Sequence, residues 1–540
     1  AVVMSLRTQS KMEYGDFQTP SSLAEASIRA LRRVLVQRPV TVMEPTCGTG
    51  TFLAEALKGF PAASILIGVE INKQYLEIAT TRLNALAANH DVRLTNADFF
   101  TFDWPSLLRS IGEPLFIVGN PPWVTSSALG TLQSKNLPEK SNFQRRRGYD
   151  AITGKSNFDI SEWMLLRYLD WLQDRRGVIA VLCKTAIARK ILLQAWQRTL
   201  PVAGAHLFLI DAQSHFDAAV DACFLIVDLL GAGRSTECLI YKDIEAASHV
   251  RTFGYHDGLL VSDVELFIKW KHLRGTDAAY VWRSGVKHDC SKVMELEAFG
   301  DGYINGLGEN IDLEEKYLYP MLKSSDIGNG EVRYGRKYML VTQQFVGDDT
   351  SAIERIAPRT WRYLRSHEKN LSARASPIYK NRPPFSVFGV GEYSFAPWKV
   401  AISGFYKTLG FKVLHDYEGR TVVVDDTVNF LPCWSEEEAR FVHELLISEP
   451  AQQFYESLVY WPDKRPITID ILRKLDLHLL SKTLDREAEY FWFARRRSDF
   501  EQEHSRGQLS LGISEKRPSK YGKHAARQRA PADEWKIGSE

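Results

Sequence analysis

Cysteine is scarce in this chain: six among 540 residues, at Cys47, Cys183, Cys223, Cys238, Cys290 and Cys433. None forms a CxxC pair or stands beside a histidine at zinc-ligand spacing, so no structural zinc is expected and no metal ligand is assigned. Thiols this scattered read as reduced, which points to a cytoplasm. Net charge is scarce too. Sixty-eight Lys+Arg against 66 Asp+Glu leave +2, so any polyanion would have to be met by local patches. No window holds eighteen uncharged apolar residues, so no membrane span is expected. The opening AVVMSLRTQSKMEYGDF lacks the apolar core of a secretory signal. The chain has no internal repeat, no GxxxxGK[ST] phosphate loop and no full GxGxxG dinucleotide spacing.

What is present is 44% apolar and 25% charged residues, the proportions of ordinary globular protein. A chain of this length divides into two or three domains. Over residues 1–235, short apolar runs alternate with helical periodicity. VTVMEP (40–45), ASILIGVEI (63–71), VRLTNADFF (92–100), PLFIVGNPPW (114–123) and GVIAVLCK (177–184) read as strands. HLFLIDA (206–212) and ACFLIVDLL (222–230) read as a hairpin pair. Between them, TFLAEALKG reads as a helix, and so does QYLEIATTRLNALAAN (74–89), with Leu76, Ala79, Leu83 and Leu86 on one face. SEWMLLRYLDWL is a further helix. This rhythm predicts an α/β domain built on a mixed, mostly parallel sheet, whose ligands bind at the carboxyl ends of the strands. After GAGRS (231–235) the rhythm stops. Residues 236–485 read as an α+β domain, with EEEARFVHELLISEPAQQFYESLVY (436–460) as one or two helices. Residues 486–540 read as a charged tail, with six Lys/Arg and no acid between Lys516 and Arg529.

The strand ends carry the chemistry. Glu44-Pro45-Thr46-Cys47-Gly48-Thr49-Gly50 follows the first strand; glycines there let a ligand approach the backbone, and the helix N-terminus behind favours electronegative groups. Alone, such a turn is weak support. Glu70 ends the second strand, where a carboxylate can accept ribose hydroxyls. Asp98 follows the third; it can accept from an exocyclic amine while Phe99 flanks a purine. Gly119-Asn120-Pro121-Pro122-Trp123 follows the fourth. The Asn120 amide oxygen and the Pro121 carbonyl can accept the two N–H groups of a planar amine. The prolines stiffen the turn, and Trp123 offers a face for a nucleobase.

These residues resemble the amino-methyltransferases whose catalytic motif is [DNS]PP[YFW], and more closely the Taq-type DNA adenine-N6 methyltransferases of the gamma motif order. In that order the cofactor motif and glycine turn come first, then NPPW, then the target recognition domain. The resemblance runs from about Tyr14 to Leu480. It implies a Rossmann-like catalytic domain, S-adenosylmethionine as cofactor and double-stranded DNA as partner. By motif, it implies that Phe17 and Thr19 line the methionine end of the cofactor. Glu44, Cys47, Gly48, Glu70, Ile71, Asp98, Phe99 and Asn120 complete the cofactor set. Asn120, Pro121, Pro122 and Trp123 form the catalytic loop, and Phe216 covers the other face of a flipped base. Trp123 departs from the commoner tyrosine, a change that stacking should survive.

The residues after NPPW are basic: Lys135, Lys140, Arg145, Arg146, Arg147 and Lys155 face only Glu139 and Asp150. Lys140, Arg145, Arg146, Arg147 and Lys155 are expected to contact DNA phosphates. The expected function is site-specific adenine-N6 methylation of duplex DNA in a restriction-modification or related defence system, by a monomer. A separate restriction endonuclease stays open as a partner. Cytosine N4, an RNA adenine or a protein glutamine amide remain alternatives on the same motif, and a catalytically silent DNA-binding module is an alternative of another class. No PD…(D/E)xK nuclease core is read, and none is expected ahead of the first motif.

Overall fold

The apolar runs between residues 41 and 184 show no polar/apolar alternation because helices cover both faces of their sheet. The computed structural model describes residues 18–86, 90–123, 159–231, 233–328 and 330–497. Five parallel strands carry the first part: β1 (Thr41–Glu44), β2 (Ile65–Glu70), β3 (Asp91–Asn96), β4 (Leu115–Gly119) and β5 (Gly177–Lys184). Helices α1 (Ser21–Val34), α2 (Thr51–Gly59) and α3 (Lys73–Asn84) pack on one face. Helices α4 (Trp104–Arg109), α5 (Ile160–Leu172) and α6 (Thr185–Gln197) pack on the other. Successive side chains of each strand enter opposite cores. Val178, Ala180 and Leu182 join one, while Ile179, Val181 and Cys183 join the other.

Strand β6 (Gly204–Asp211), the short helix α7 (Ala212–Phe216) and β7 (Asp221–Leu229) follow. β7 runs antiparallel between β5 and β6, which is the hairpin expected from the sequence. The sheet does not stop at the change of texture near residue 235. β8 (Glu237–Tyr241), β9 (Arg251–His256) and β10 (Leu259–Val261) extend it to ten strands, in the order β10-β9-β8-β6-β7-β5-β4-β1-β2-β3. Without helices between them, these three strands lack the rhythm by which the earlier ones announce their sheet.

Element ends also shift. The second helix stops at Asn84, so Leu86 leaves the apolar face and stands 44% exposed, whereas Ala79 and Leu83 stay buried. The helical stretch after 436 is two helices, Glu436–Ile447 and Glu449–Glu456, divided where Pro450 enters the first turn of the second.

The later strands form two smaller sheets. One takes β11 (Arg283–Ser284), β17 (Trp398–Ser403), β18 (Lys412–His415) and β20 (Val428–Cys433) in the order β11-β20-β17-β18. The other takes β12 (Glu295–Phe299), β13 (Gly302–Asn305), β14 (Asn310–Ile311), β15 (Leu318–Leu322), β16 (Lys337–Leu340) and β19 (Val423–Val424) in the order β14-β13-β12-β16-β15-β19. The chain divides into two compact units, Ala1–Leu480 and Ser481–Glu540. The second is described to residue 497 and is helical over 487–497. No helix among the described residues is long and apolar enough to cross a membrane.

Phe116 on β4 is fully buried, with its ring edge-on to Phe60 at 5.6 Å. Phe116→Ala should lower unfolding stability by ~3–5 kcal/mol, read by urea denaturation. A loss under about 1 kcal/mol would mean that this core collapses around the gap.

Candidate active site

Strand order reverses between β1 and β4: β2 and β3 lie to one side, β5 to the other. At such a switch point the connections diverge and leave a crevice beyond the strand ends. Glu44 ends β1 and Gly119 ends β4, so the two motifs meet there. Gly119 has φ 136°, and a Cβ on it would lie 2.8 Å from Glu44 Oε1. Glycine at 119 is therefore what lets the Glu44 carboxyl lie under the Asn120 loop.

Glu44 is 4% exposed, and its Oε2 has no hydrogen-bond partner among the described residues. Burial pushes this carboxyl well above its ordinary range; the negative charge of Glu70 adds to the rise, and a hydrogen bond from the Leu53 backbone opposes it. The same burial, with Glu44 and Glu70 nearby, raises the Cys47 thiol. Cys47 is a packed side chain, 3% exposed, whose N–H donates to Val69 O at 2.9 Å.

The turn itself is left-handed at Gly48 (φ 53°) and Gly50 (φ 73°). Glu70 holds it: Oε2 accepts from Gly48 N at 2.8 Å and Oε1 from Asn72 N at 2.8 Å. Two supports escaped the sequence reading. Asn96 Nδ2 donates to Glu70 O and Ile71 O at 2.8 and 3.0 Å, clamping the end of β2. Gln18, beside the expected Thr19, accepts from Thr49 Oγ1 at 3.1 Å. Only its place inside FQTP signals it. Thr19 is half-buried, and Ile71 stands 43% exposed beside Glu70. Phe17 lies outside the described residues, as do Lys140, Arg145, Arg146, Arg147 and Lys155.

Asp98 Oδ1 accepts from Phe100 N at 2.9 Å, which fixes the turn after β3. Phe99, expected beside a purine, is 5% exposed, and its ring packs on Trp104, Trp163, Trp171 and Tyr168. In the catalytic loop Asn120 is half-buried, Pro121 buried, Pro122 half-buried and Trp123 7% exposed. The Trp123 and Phe216 rings meet edge to face at 5.2 Å. Phe216 arrives there on α7, which Asp211 caps by accepting from Gln213 N at 3.1 Å. Asp217 then ends that helix in the left-handed region, φ 54°.

Beyond the expected set, Asp159 and Lys184 pair at 2.6 Å where α5 begins and β5 ends. Asp159 Oδ1 also caps α5, accepting from Ser161 N at 3.0 Å.

The crevice suits S-adenosylmethionine. Glu44 Oε2 is a buried oxygen with no hydrogen-bond partner among the described residues, which matches an ammonium, and the left-handed Gly48 and Gly50 leave the backbone of the turn without side chains. Fold and crevice define the class: an S-adenosylmethionine-dependent methyltransferase on a Rossmann-like, mixed sheet. The profile of the N-6 DNA methylase family matches residues 2–189. The Type II methyltransferase M.NspV of Nostoc sp. (strain ATCC 29411 / PCC 7524) is 43% identical over 477 residues, spanning 88% of this chain and 98% of that protein. The modification methylase CviBIII of Paramecium bursaria Chlorella virus NC1A is 32% identical over 149 residues, 28% of this chain and 36% of its own length. Among solved structures, the Type IIL restriction-modification enzyme MmeI in complex with DNA aligns with 91% of this chain and 77% of its own at 14% identity and a TM-score of 0.44. The chain belongs to the N-6 DNA methylase family, and its cofactor is S-adenosylmethionine.

The raised carboxyl gives a pH test. A carboxyl with an elevated folded value favours the fold while protonated; that contribution is complete below about pH 4.3 and is lost as pH rises through the elevated value. Without cofactor, Glu44→Gln should be more stable than the parent at pH 8, by on the order of 1–3 kcal/mol. The gain should vanish near pH 4 in urea melts. A parent as stable as the variant at pH 8 would show that the carboxylate is satisfied where it lies.

Proposed function

We propose that this protein methylates the N6 amine of an adenine flipped out of duplex DNA at a short specific sequence, as the modification arm of a restriction-modification system. One observation carries the reading. At the switch point, Glu44 under Gly119 joins the cofactor crevice to Asn120-Pro121-Pro122-Trp123, and Trp123 touches Phe216. The motif order of cofactor turn, NPPW loop and later sheets is the gamma order. M.NspV, named a Type II methyltransferase, supports the restriction-modification setting, in which a separate endonuclease is the complementary partner. The DNA-reading part is assigned to the two smaller sheets that follow β10.

Glu44, Cys47, Gly48, Glu70, Ile71, Asp98 and Phe99 would hold the cofactor, with Thr19 toward its methionine end, and it would supply an electrophilic methyl on sulfur; Phe17, expected there too, lies outside the described residues. The remaining work falls to the chain. An adenine amine is planar because its lone pair is delocalised into the ring, and it is a poor nucleophile for that reason. Acceptors at Asn120 Oδ1 and the Pro121 carbonyl bond its two hydrogens, favour the pyramidal nitrogen and stabilise the positive charge the nitrogen gains. This is electrostatic preorganisation in a fixed orientation. Asn120 is not a base; the surplus proton passes to water after transfer.

Flipping requires the base to be taken from its stack, at a cost of a few kcal/mol. Opening the Trp123–Phe216 contact gives up ~0.5–1.5 kcal/mol. Stacking a base on an aromatic face returns ~1–3 kcal/mol, so replacing the ring contact by a base is favourable or neutral.

Incubation with methyl-labelled cofactor and genomic DNA, followed by nucleoside analysis, tests the reading: label should appear in N6-methyladenine, and label in N4-methylcytosine would replace adenine by cytosine. Asn120→Ala should reduce transfer by at least ~10²-fold with cofactor affinity kept; near-normal turnover would remove Asn120 from its role. With 2-aminopurine at the target position, the parent should brighten on binding and Trp123→Ala should brighten less. Equal signals would assign stacking elsewhere.

A further inference from the structure

Arg82, on α3, turns its guanidinium onto the glycine turn. Nη1 donates to Thr49 O at 2.9 Å, to Thr49 Oγ1 at 3.4 Å and to Thr51 Oγ1. Arg82 makes no ion pair among the described residues. No acid stands three or four positions from it in the chain, so it is not one half of a pair along its own helix.

Helix stability does not call for this reach. Thr51 opens α2, and a cation at a helix N-terminus opposes the helix dipole. Arg82 stands in the last turn of α3, where its charge favours that helix without touching the turn. Folding a long side chain onto Thr49 and Thr51 gives up rotamer freedom, and what it secures is the turn.

The same helix meets the turn elsewhere. Ala79, three residues earlier and so on the same face as Arg82, is fully buried, and a Cβ on Gly50 would lie 2.9 Å from its own Cβ. At the start of α3, Asn72 accepts from Gln74 N at 3.0 Å, while its own N–H donates to Glu70 Oε1 at 2.8 Å. Glu70 Oε2 takes the Gly48 N–H, also at 2.8 Å. These contacts close a ring. It runs from Glu70 to Gly48, along the chain to Thr49, across to Arg82, and back through α3 to Asn72 and Glu70. One helix thus holds both the carboxylate and the turn that faces it.

We infer that Arg82 is a positioning residue for S-adenosylmethionine: by tying Thr49 and Thr51 to α3, it fixes the Gly48–Gly50 turn against Glu70 before the cofactor arrives. Without that tie the two glycines are free to sample other conformations. The cofactor must then order the turn as it binds, and affinity falls. The inference rests on the placement of the cofactor at Gly48 and Glu70.

The test titrates the whole chain with S-adenosylmethionine in a calorimeter, without DNA. Arg82→Ala should raise Kd about tenfold; Arg82→Lys, which keeps a cationic donor of similar reach, should raise it only about threefold. In the cofactor-free protein, the amides of residues 47–50 should exchange with deuterium faster in Arg82→Ala than in the parent, and those of β4 should not. If Arg82→Ala does not fold, Thr51→Ala, which deletes one acceptor and keeps the arginine, carries the test with a rise of about threefold. Glu70→Ala is the control for placement. If Glu70→Ala weakens binding while the Arg82 and Thr51 variants bind as the parent does, the positioning role is wrong and the placement stands. The role is equally overturned if Arg82→Ala lowers the unfolding midpoint in urea but leaves Kd and turn exchange unmoved. If Glu70→Ala also binds as the parent does, the placement fails and the inference with it.

Discussion

The structure hinges on one close contact: a buried carboxyl under a glycine at the point where the sheet reverses. Two parallel strands leave the core side by side and their connections part. Glu44 ends one, Gly119 the other, and the missing Cβ of Gly119 is the space the carboxyl fills. A side chain at 119 would drive the two strand ends apart. In the proposed reaction the crevice for the methyl donor and the loop for the acceptor amine thus share a wall one residue thick. Burying an acid there is costly, and nothing in the packing of the core calls for it. Such strain is usually kept where a ligand relieves it.

Much of this was legible in the sequence. Five strands and their helices announce themselves by composition, since strands covered on both faces must be apolar throughout. The motifs were legible because chemistry restricts residue type: few patterns besides Asn-Pro-Pro-Trp pair two acceptors with an aromatic face. Other features left no local trace. Nothing in VRLTNADFF says that Phe99 turns inward to four aromatic neighbours, because those lie on segments 5 to 72 residues later. Asn96 and Gln18 work through a side-chain amide, a group so common that its spacing carries no signal. β8–β10 were missed as parts of the first sheet because membership depends on pairing with β6, a partner only the fold supplies.

In the proposed reaction the transfer site is made of neutral acceptors, rings and two acids, as suits stabilising a small charge on an amine. The Arg189–Asp463 pair, assisted by Tyr460, ties the later part of the chain to the helix that follows β5.

The continuation of the first sheet past residue 235 governs how the protein can be dissected. A fragment ending at 235 would strip Cys238, Ile240 and Phe253 from the core and bare the edge of β6, where His206, Leu207 and Phe208 pair with β8. An open, apolar strand edge invites pairing with another copy. A fragment carried on to Val261 would close that edge with its own three strands. The shortest stretch able to stay in solution as a separate methyltransferase piece is thus set by hydrogen bonds along β6, well beyond the point where the motifs end.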